Sequence, residues 1–554
     1  MSRGRASQNN SCRLLESNSP VSTMRGPIEA LAWVWANLSA CTWTLLLSSV
    51  VLYFYRWVKE RRQYHSIFSK MGVPYVKPHI LYGSNHQLRG KGILPTEVIG
   101  KWVKQYGKVF GYYIGWKPTL VVADLDMLKD ILIKEFHNFA NRPKLVIEAQ
   151  PVVHTVVGLR DQRWKDVRSI LAPTFSMVKL KHLAGIMNEK VDELLGIIGK
   201  KSKAGEPIEW YSTYQGLTLD VISECALAMK TTCQKDQEKS EFFMAVRSFL
   251  KNAVNPAILM ALYFRGFGKI LSYISNRFAL SGRMTQMIVN HLETVISVRR
   301  NDLHSKNVDV LQLMLEAAES RVDADGAAAN GVSKGKPKHK LLSDEEIIAN
   351  AWVFLLGGFE TTANSLTYTT YLLTQHQEVQ DKVYQELLDV IKDPNINLTY
   401  EQVHKLTYLD QVFSEALRLH PPVVTFITRE AAEDMQIGDV VIPKDMAVLV
   451  PIWLLQRDPE QWPDPEKFDP ERFSPEAKAN NTRHPMSYIP FGAGPRNCVG
   501  MRFAQLEAKL TLARILLNYR LESCKETPNP LRFEVPTVAI NPADPVLIKA
   551  TPRN

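Results

Sequence analysis

Ten residues near the C-terminus, Phe491-Gly-Ala-Gly-Pro-Arg-Asn-Cys-Val-Gly500, constrain this chain more than any other stretch. They set Cys498 in a glycine-rich loop, with Arg496 two residues before it and Gly500 two after. An apolar helical pattern follows at once through Phe503, Leu506, Leu510, Leu512, Ile515 and Leu516. A thiol just ahead of a helix N-terminus faces unpaired backbone N–H groups and the positive end of the helix dipole, which favour thiolate. Glycines let backbone approach a flat ligand closely, and an arginine grips a carboxylate through two parallel hydrogen bonds. Thiolate, open loop and carboxylate clamp together describe one end of a haem, which carries propionates and an iron that accepts cysteine as axial ligand.

A single cysteine is more often a plain buried thiol than a ligand. Here Phe491, Gly494, Arg496, Cys498 and Gly500 fill every fixed position of F-x-x-G-x-R-x-C-x-G. The stretch therefore resembles the cytochrome P-450 haem-thiolate family, and the likeness extends over roughly residues 70–552. It implies a mostly α fold with a small β part, with Cys498 as the axial ligand of haem iron. Phe491, Arg496 and Gly500 would then shape the haem loop.

Other segments carry the same resemblance. Gly357-Gly358-Phe359-Glu360-Thr361-Thr362 lies in a helix opened by the capping box Ser343/Glu346 and running to about Thr374. Two adjacent glycines inside a helix cost about 1 kcal/mol each relative to alanine, so a local opening of that helix over a flat cofactor is expected. The resemblance implies that Thr361 hydrogen-bonds dioxygen on the distal face and orients a water. Glu360 would relay protons as a general acid-base.

Glu415 and Arg418 stand at i,i+3, ordinarily the spacing of a weak surface pair. With Pro470-Glu471-Arg472-Phe473 they resemble the family's E-x-x-R and P-E-R-F elements, implying that Glu415, Arg418 and Arg472 lock the core behind the haem. Trp164 and Arg168 share a helix face and match W-x-x-x-R, implying two propionate contacts; Arg429 is a third. The chain departs from the family in one extra residue between Arg418 and Arg429, and in Gln456, where a histidine is usual and a propionate contact would weaken. Phe354, Leu355, Val423, Val424 and Phe426 are candidates for a lipophilic substrate pocket. Residues 257–267 are apolar enough to dip into a bilayer.

The remaining composition sets limits. The 554 residues are 45% hydrophobic and 22% charged, as in a globular chain. The six cysteines show no C-x-x-C spacing, which argues against a disulfide scaffold or zinc site and suits a reducing compartment. A net charge of +10 permits an anionic membrane or an acidic protein as partner. The basic residues are dispersed and no nucleic-acid motif is present, so nucleic acid is not expected.

Residues 1–29 are polar and expected to be disordered. Residues 30–55 carry no charge and, at about 1.5 Å each, reach across a ~30 Å hydrocarbon core. Arg56, Lys59, Arg61 and Arg62 follow, so a single transmembrane signal anchor with a cytosolic domain is expected, in the endoplasmic reticulum membrane. Residues 56–80 read as a basic, proline-containing hinge, residues 81–552 as the catalytic domain, and 321–340 as a flexible linker within it. A hairpin is expected from 109–114 and 119–122.

Segments 428–434, 489–498 and 524–527 are similar to those of thromboxane synthase and the broad-substrate hepatic drug oxidases. The hydroxyl of Thr361, where thromboxane synthase has an apolar residue, favours dioxygen activation. The expectation is a membrane-bound monooxygenase of lipophilic substrates. Electrons from NADPH would arrive through a flavoprotein reductase, with a small b-type cytochrome as a further partner. The reductase would meet a basic face at Lys165, Lys179, Lys181 and Arg502. A reductase-independent peroxide isomerase and a non-catalytic haem-binding protein are the alternatives.

Overall fold

The computed structural model describes residues 40–553 except 89, 91, 145–148, 265, 302–308, 319–341, 392–396 and 481. The expected linker at 321–340, the polar N-terminus and the first ten residues of the expected anchor lie outside the described residues. The chain divides into a short unit, 1–63, and a large one, 64–554.

The short unit holds most of helix α1, Ala40–His65. Helix therefore continues through the basic residues expected to begin a hinge, and extended chain starts only at Val73. Leu45, Leu47, Val51, Leu52 and Tyr55 are all exposed. Among the described residues no helix is long and apolar enough to cross a membrane. The sixteen residues from Ala40 to Tyr55 give only about 24 Å of helix before the arginines.

The large unit is mostly helical. Its centre is α8 (Asp344–Gln375), buried on nearly every side, and its start is fixed locally. The Ser343 hydroxyl accepts from the Glu346 N–H at 3.2 Å, and the Glu346 carboxylate accepts from the Ser343 N–H at 2.9 Å. Against α8 lie α4 (Trp210–Leu227), α9 (Thr407–Leu419) and α10 (Met501–Asn518), and α3 (Met177–Lys203) packs on α4 and α10. The chain also forms α2 (Asp161–Leu171), α5 (Glu241–Asn252), α6 (Pro256–Tyr263) and α7 (Gly268–Phe278), the last two packed on each other. Helix α4 lies close on α8: a Cβ at Gly358 would come within 2.7 Å of Ile222.

A four-stranded sheet lies to one side: β1 (Val109–Ile114), β2 (Lys117–Val122), β3 (Thr428–Glu430) and β4 (Ala447–Leu449), in the order β1-β2-β4-β3. The hairpin pairs Val109 with Val122 through Ile114 with Lys117, and β2 runs parallel to β4. The sheet has its own apolar core around Phe68, Tyr113, Leu120 and Val448, separate from the large helical core. The 489–500 loop joins the two: Ile489 and Ala493 pack in the sheet core, while Phe491 and Val499 pack against the helical core.

Residues 257–263 form most of α6, whose Ala261 is buried. Met260 and Phe267 are exposed, and the exposed apolar surface extends one helix later, onto α7. Ile270, Tyr273, Ile274 and Phe278 are 60%, 67%, 41% and 64% exposed there. Their i, i+3, i+4, i+8 spacing makes one stripe.

Candidate active site

The loop around Cys498 turns through two left-handed glycines, Gly492 (φ 73°) and Gly494 (φ 71°). At Gly494 a side chain is excluded twice over, since a Cβ would also meet the Leu132 carbonyl oxygen at 1.9 Å. The Cys498 N–H closes the turn on the Phe491 carbonyl at 2.8 Å, and Gly500 caps α10. The Cys498 side chain is exposed, yet burial in surrounding protein pushes its thiol above the ordinary value. The Gly500 N–H and Arg168 act in the opposite direction and only partly offset this. The helix terminus alone does not make a thiolate here: desolvation wins, and a metal would have to draw the proton off.

Arg496, 8% exposed, donates to three carbonyls: Ala140 at 2.8 Å, Val156 at 3.3 Å and Leu159 at 2.8 Å. Its guanidinium lies 4.1 Å from the Trp164 ring centre. Three of its five N–H groups are thus spent on backbone, so it is no free carboxylate fork. One terminal nitrogen of Arg168 is engaged by Asn497, donating to its carbonyl and side-chain oxygens at 3.0 Å each. The Val156 N–H in turn donates to Asn350 of α8 at 2.8 Å. The Cys498 loop is thereby tied, through Val156, to the central helix.

Arg429 lies on β3, 1% exposed, with its Nε lacking any partner among the described residues. The extra residue ahead of it has not taken it out of reach of the loop, for it acts electrostatically on Arg496. Arg142, which the sequence reading missed, joins them: its Nε is equally unpartnered. It also donates to the Phe426 carbonyl at 2.6 Å and stacks 3.9 Å from that ring's centre. Burial, then mutual repulsion, lowers Arg142 to about 9 and Arg496 to about 9, and burial alone lowers Arg429 to about 10. Three crowded guanidinium groups, two of them with an orphaned Nε–H donor, call for a multiply charged anion. No local pattern marks Arg142; only its distant neighbours do.

On α8 the two glycines serve different ends. Gly358 admits α4, whereas Gly357 is exposed and a Cβ there would meet nothing within 4 Å. The helix is continuous through both, without the expected opening. The Thr361 hydroxyl, half-buried, donates to the Gly357 carbonyl at 2.6 Å, keeping that oxygen satisfied inside the helix. Glu360, 4% exposed, turns to α4 instead: Tyr211 Oη donates to Oε1 and Gln215 Nε2 donates to Oε2 at 3.0 Å. Burial raises its pKa against those bonds.

The pair behind the loop is wholly buried. Arg418 donates to Glu415 twice, at 2.7 and 2.8 Å, and to the carbonyls of Gln456, Pro465 and Lys467. Arg472 approaches Glu415 at 3.4 Å. Among the described residues Gln456 forms no hydrogen bond with the arginine cluster. Its amide donates to the Leu417 and Arg418 carbonyls and accepts from the Ile489 N–H, fastening the end of α9 to the loop.

Pocket-lining side chains keep surface of their own, and by that measure the five substrate candidates divide. Val423 and Phe426 are half-buried. Leu355 at 0%, Val424 at 3% and Phe354 at 7% are packed away, Phe354 against the Phe175 ring.

An accessible thiol in a fixed loop, two buried guanidinium groups with orphaned donors and the uncovered Gly357 on α8 fit a haem. The family model described as Cytochrome P450 matches residues 73–550. This chain belongs to the cytochrome P450 family. It is 32% identical to cytochrome P450 3A29 of Sus scrofa, over 94% of this chain and 98% of that one. It is 34% identical to cytochrome P450 3A40 of Oryzias latipes, over 93% and 98%. It is 33% identical to lithocholate 6-beta-hydroxylase of Mesocricetus auratus, over 94% and 98%. The protein is a cytochrome P450 monooxygenase with a cysteine-ligated haem.

Proposed function

We propose that this P450 oxidises lipophilic molecules at a membrane surface, drawing electrons from NADPH through a flavoprotein reductase. The observation that carries the reading is the placement of the Thr361 hydroxyl beside the exposed Gly357 on the helix tied to the Cys498 loop. Bound haem supplies dioxygen activation and the oxidising equivalent, with thiolate donation favouring O–O cleavage. Cys498 Sγ would hold the iron, and Arg142, Arg429 and Arg496 would face the propionates. Because the Thr361 proton is committed to Gly357, its oxygen lone pairs remain to accept a hydrogen bond from a water or substrate-side donor. Glu360 would keep the proton that this site consumes.

Val423 and Phe426 offer apolar surface to the substrate. The hydroxylase activity in the name of the Mesocricetus auratus relative makes steroids one class to try, beside xenobiotics and fatty-acid-like compounds. The apolar stripe on α7 suits a bilayer surface, which would deliver such molecules. A cavity of about 710 Å³ lies between the β1–β2 hairpin and residues 261–268, lined by Ile67, Met71, Trp116 and Met446 and also by Lys70, Lys117, Lys144 and Glu430. The first part of helix α1, exposed and free of charge up to Tyr55, would continue the 30–39 segment as an anchor in the endoplasmic reticulum membrane.

The cytosolic side follows from the basic flank. Asn397-Leu-Thr and Asn480-Asn-Thr should then carry no glycan. Asn397 is in any case engaged by Arg514 at 3.5 Å. Glycan on either would reverse the orientation. For the reductase, Lys165 and Arg502 are exposed, Lys179 is half-buried, and Lys181 is paired with Glu401. The deciding experiment is turnover of a panel of lipophilic compounds with NADPH and purified reductase. Endoperoxide isomerisation without reductase, and no oxidation with it, would favour the isomerase.

A further inference from the structure

Glu360 is the acid that the relay needs, yet none of its hydrogen bonds goes to Thr361. All its donors come from elsewhere: Tyr211 and Gln215 on α4, and the Asn541 side chain, itself held by Asn364 at 3.0 Å. The arrangement follows from packing. Tyr211 and Gln215 are i,i+4 and share the face of α4 that lies on α8. Thr218, three residues past Gln215, donates to the Phe359 carbonyl at 2.9 Å and fixes the register between the helices. Tyr211 stands in no family motif of this chain.

We propose that Tyr211, assisted by Gln215, is a positioning residue of the proton relay: it docks the Glu360 carboxyl on α4, and release from this dock is the first event of proton delivery to the Thr361 side. The inference rests on the monooxygenase reading. The titratable and charged groups that face Glu360 are Tyr211 on α4, Arg247 on α5 and Tyr368 on α8 itself, with neutral Gln215 and Asn541. Arg247 shares a face of α5 with Phe243, whose ring meets Phe359 at 6.0 Å, so the guanidinium lies on the Glu360 side. Tyr211 is itself pushed far above the ordinary phenol range by burial and by Glu360. It therefore acts as a fixed hydrogen-bond donor and does not give up its proton.

The test uses the full haem-loaded chain. Infrared absorption of the protonated carboxyl in the resting ferric protein is followed against pH, with Glu360→Gln identifying the Glu360 band. Tyr211→Phe keeps the ring and the packing but removes the donor. It should move the Glu360 midpoint upward by about 1–2 in pH, the worth of one hydrogen bond to a charged acceptor. Gln215→Ala should move it the same way by less. The pH profile of product formed per NADPH should shift by the same amount in Tyr211→Phe, while the substrate KM stays as it was. A midpoint that stays put, or a spectrum in which Glu360→Gln removes no titrating band, overturns the proposal. Absence of any reductase-driven turnover, with the infrared shift present, would instead sink the monooxygenase reading and leave the dock standing.

Discussion

Arg418→Leu tests whether the Glu415–Arg418 pair is a surface-type helix pair or a keystone. At i,i+3 on an exposed helix such a pair is worth about 0.3–0.5 kcal/mol. Here both side chains are 0% exposed, and Arg418 also supplies the carbonyls of Gln456, Pro465 and Lys467. Leucine leaves Glu415 buried with only the Asp469 N–H at 3.0 Å and Arg472 at 3.4 Å. Removing one partner of a buried pair costs about 3–5 kcal/mol. Each carbonyl left dry adds on the order of 1–3 kcal/mol, without strict additivity.

A loss of at least about 4 kcal/mol is therefore expected, a large share of the ~5–15 kcal/mol that holds a domain together. Urea unfolding followed by tryptophan fluorescence, with haem retention read by absorption, measures it. Arg418→Lys keeps the charge but not the fork and should fall between the two. A loss below about 1 kcal/mol for Arg418→Leu would refute the argument, because that is what an exposed pair gives.

Three further outcomes are expected. Cys498→His should abolish the strongly red-shifted Soret band of the ferrous carbon monoxide complex; an unchanged spectrum would mean that another residue is the ligand. Thr361→Ala should retain haem and substrate binding but divert reducing equivalents to hydrogen peroxide. Its product formation should fall about 10²-fold, or roughly 2.7 kcal/mol of barrier, in an assay of peroxide and product per NADPH. Glu507, 1% exposed with neither carboxyl oxygen partnered among the described residues, is held far above the ordinary carboxylate range by burial. A raised folded pKa means that stability is fully present below the ordinary carboxylate pKa and is lost as pH rises towards the folded one. Urea curves of the wild type should weaken over that window while those of Glu507→Gln stay flat; parallel curves would show that the carboxyl is not held neutral.

Several features needed only neighbours along the chain and were readable in the sequence for that reason. The capping box of Ser343 and Glu346 opens α8 where the spacing says it should. The hairpin forms from the two apolar runs around Gly115. The glycine loop with its cysteine stands immediately before a helix. Each depends on hydrogen bonds or φ angles spanning a few residues, so residue type at fixed spacing suffices.

What tertiary structure alone decided involves groups far apart in the chain. Arg142 joins Arg429 and Arg496 only because the sheet and the 489–500 loop fold together, and nothing next to it in sequence announces that. Gln456, standing where a histidine is usual, clasps the end of α9 to the loop. The direction of Glu360 was set by α4, and the direction of the Cys498 pKa by how much protein surrounds the sulfur. Burial and long-range charge are sums over neighbours that only the folded chain assembles, so side chains named correctly from sequence still took their orientation and proton affinity from the packing around them.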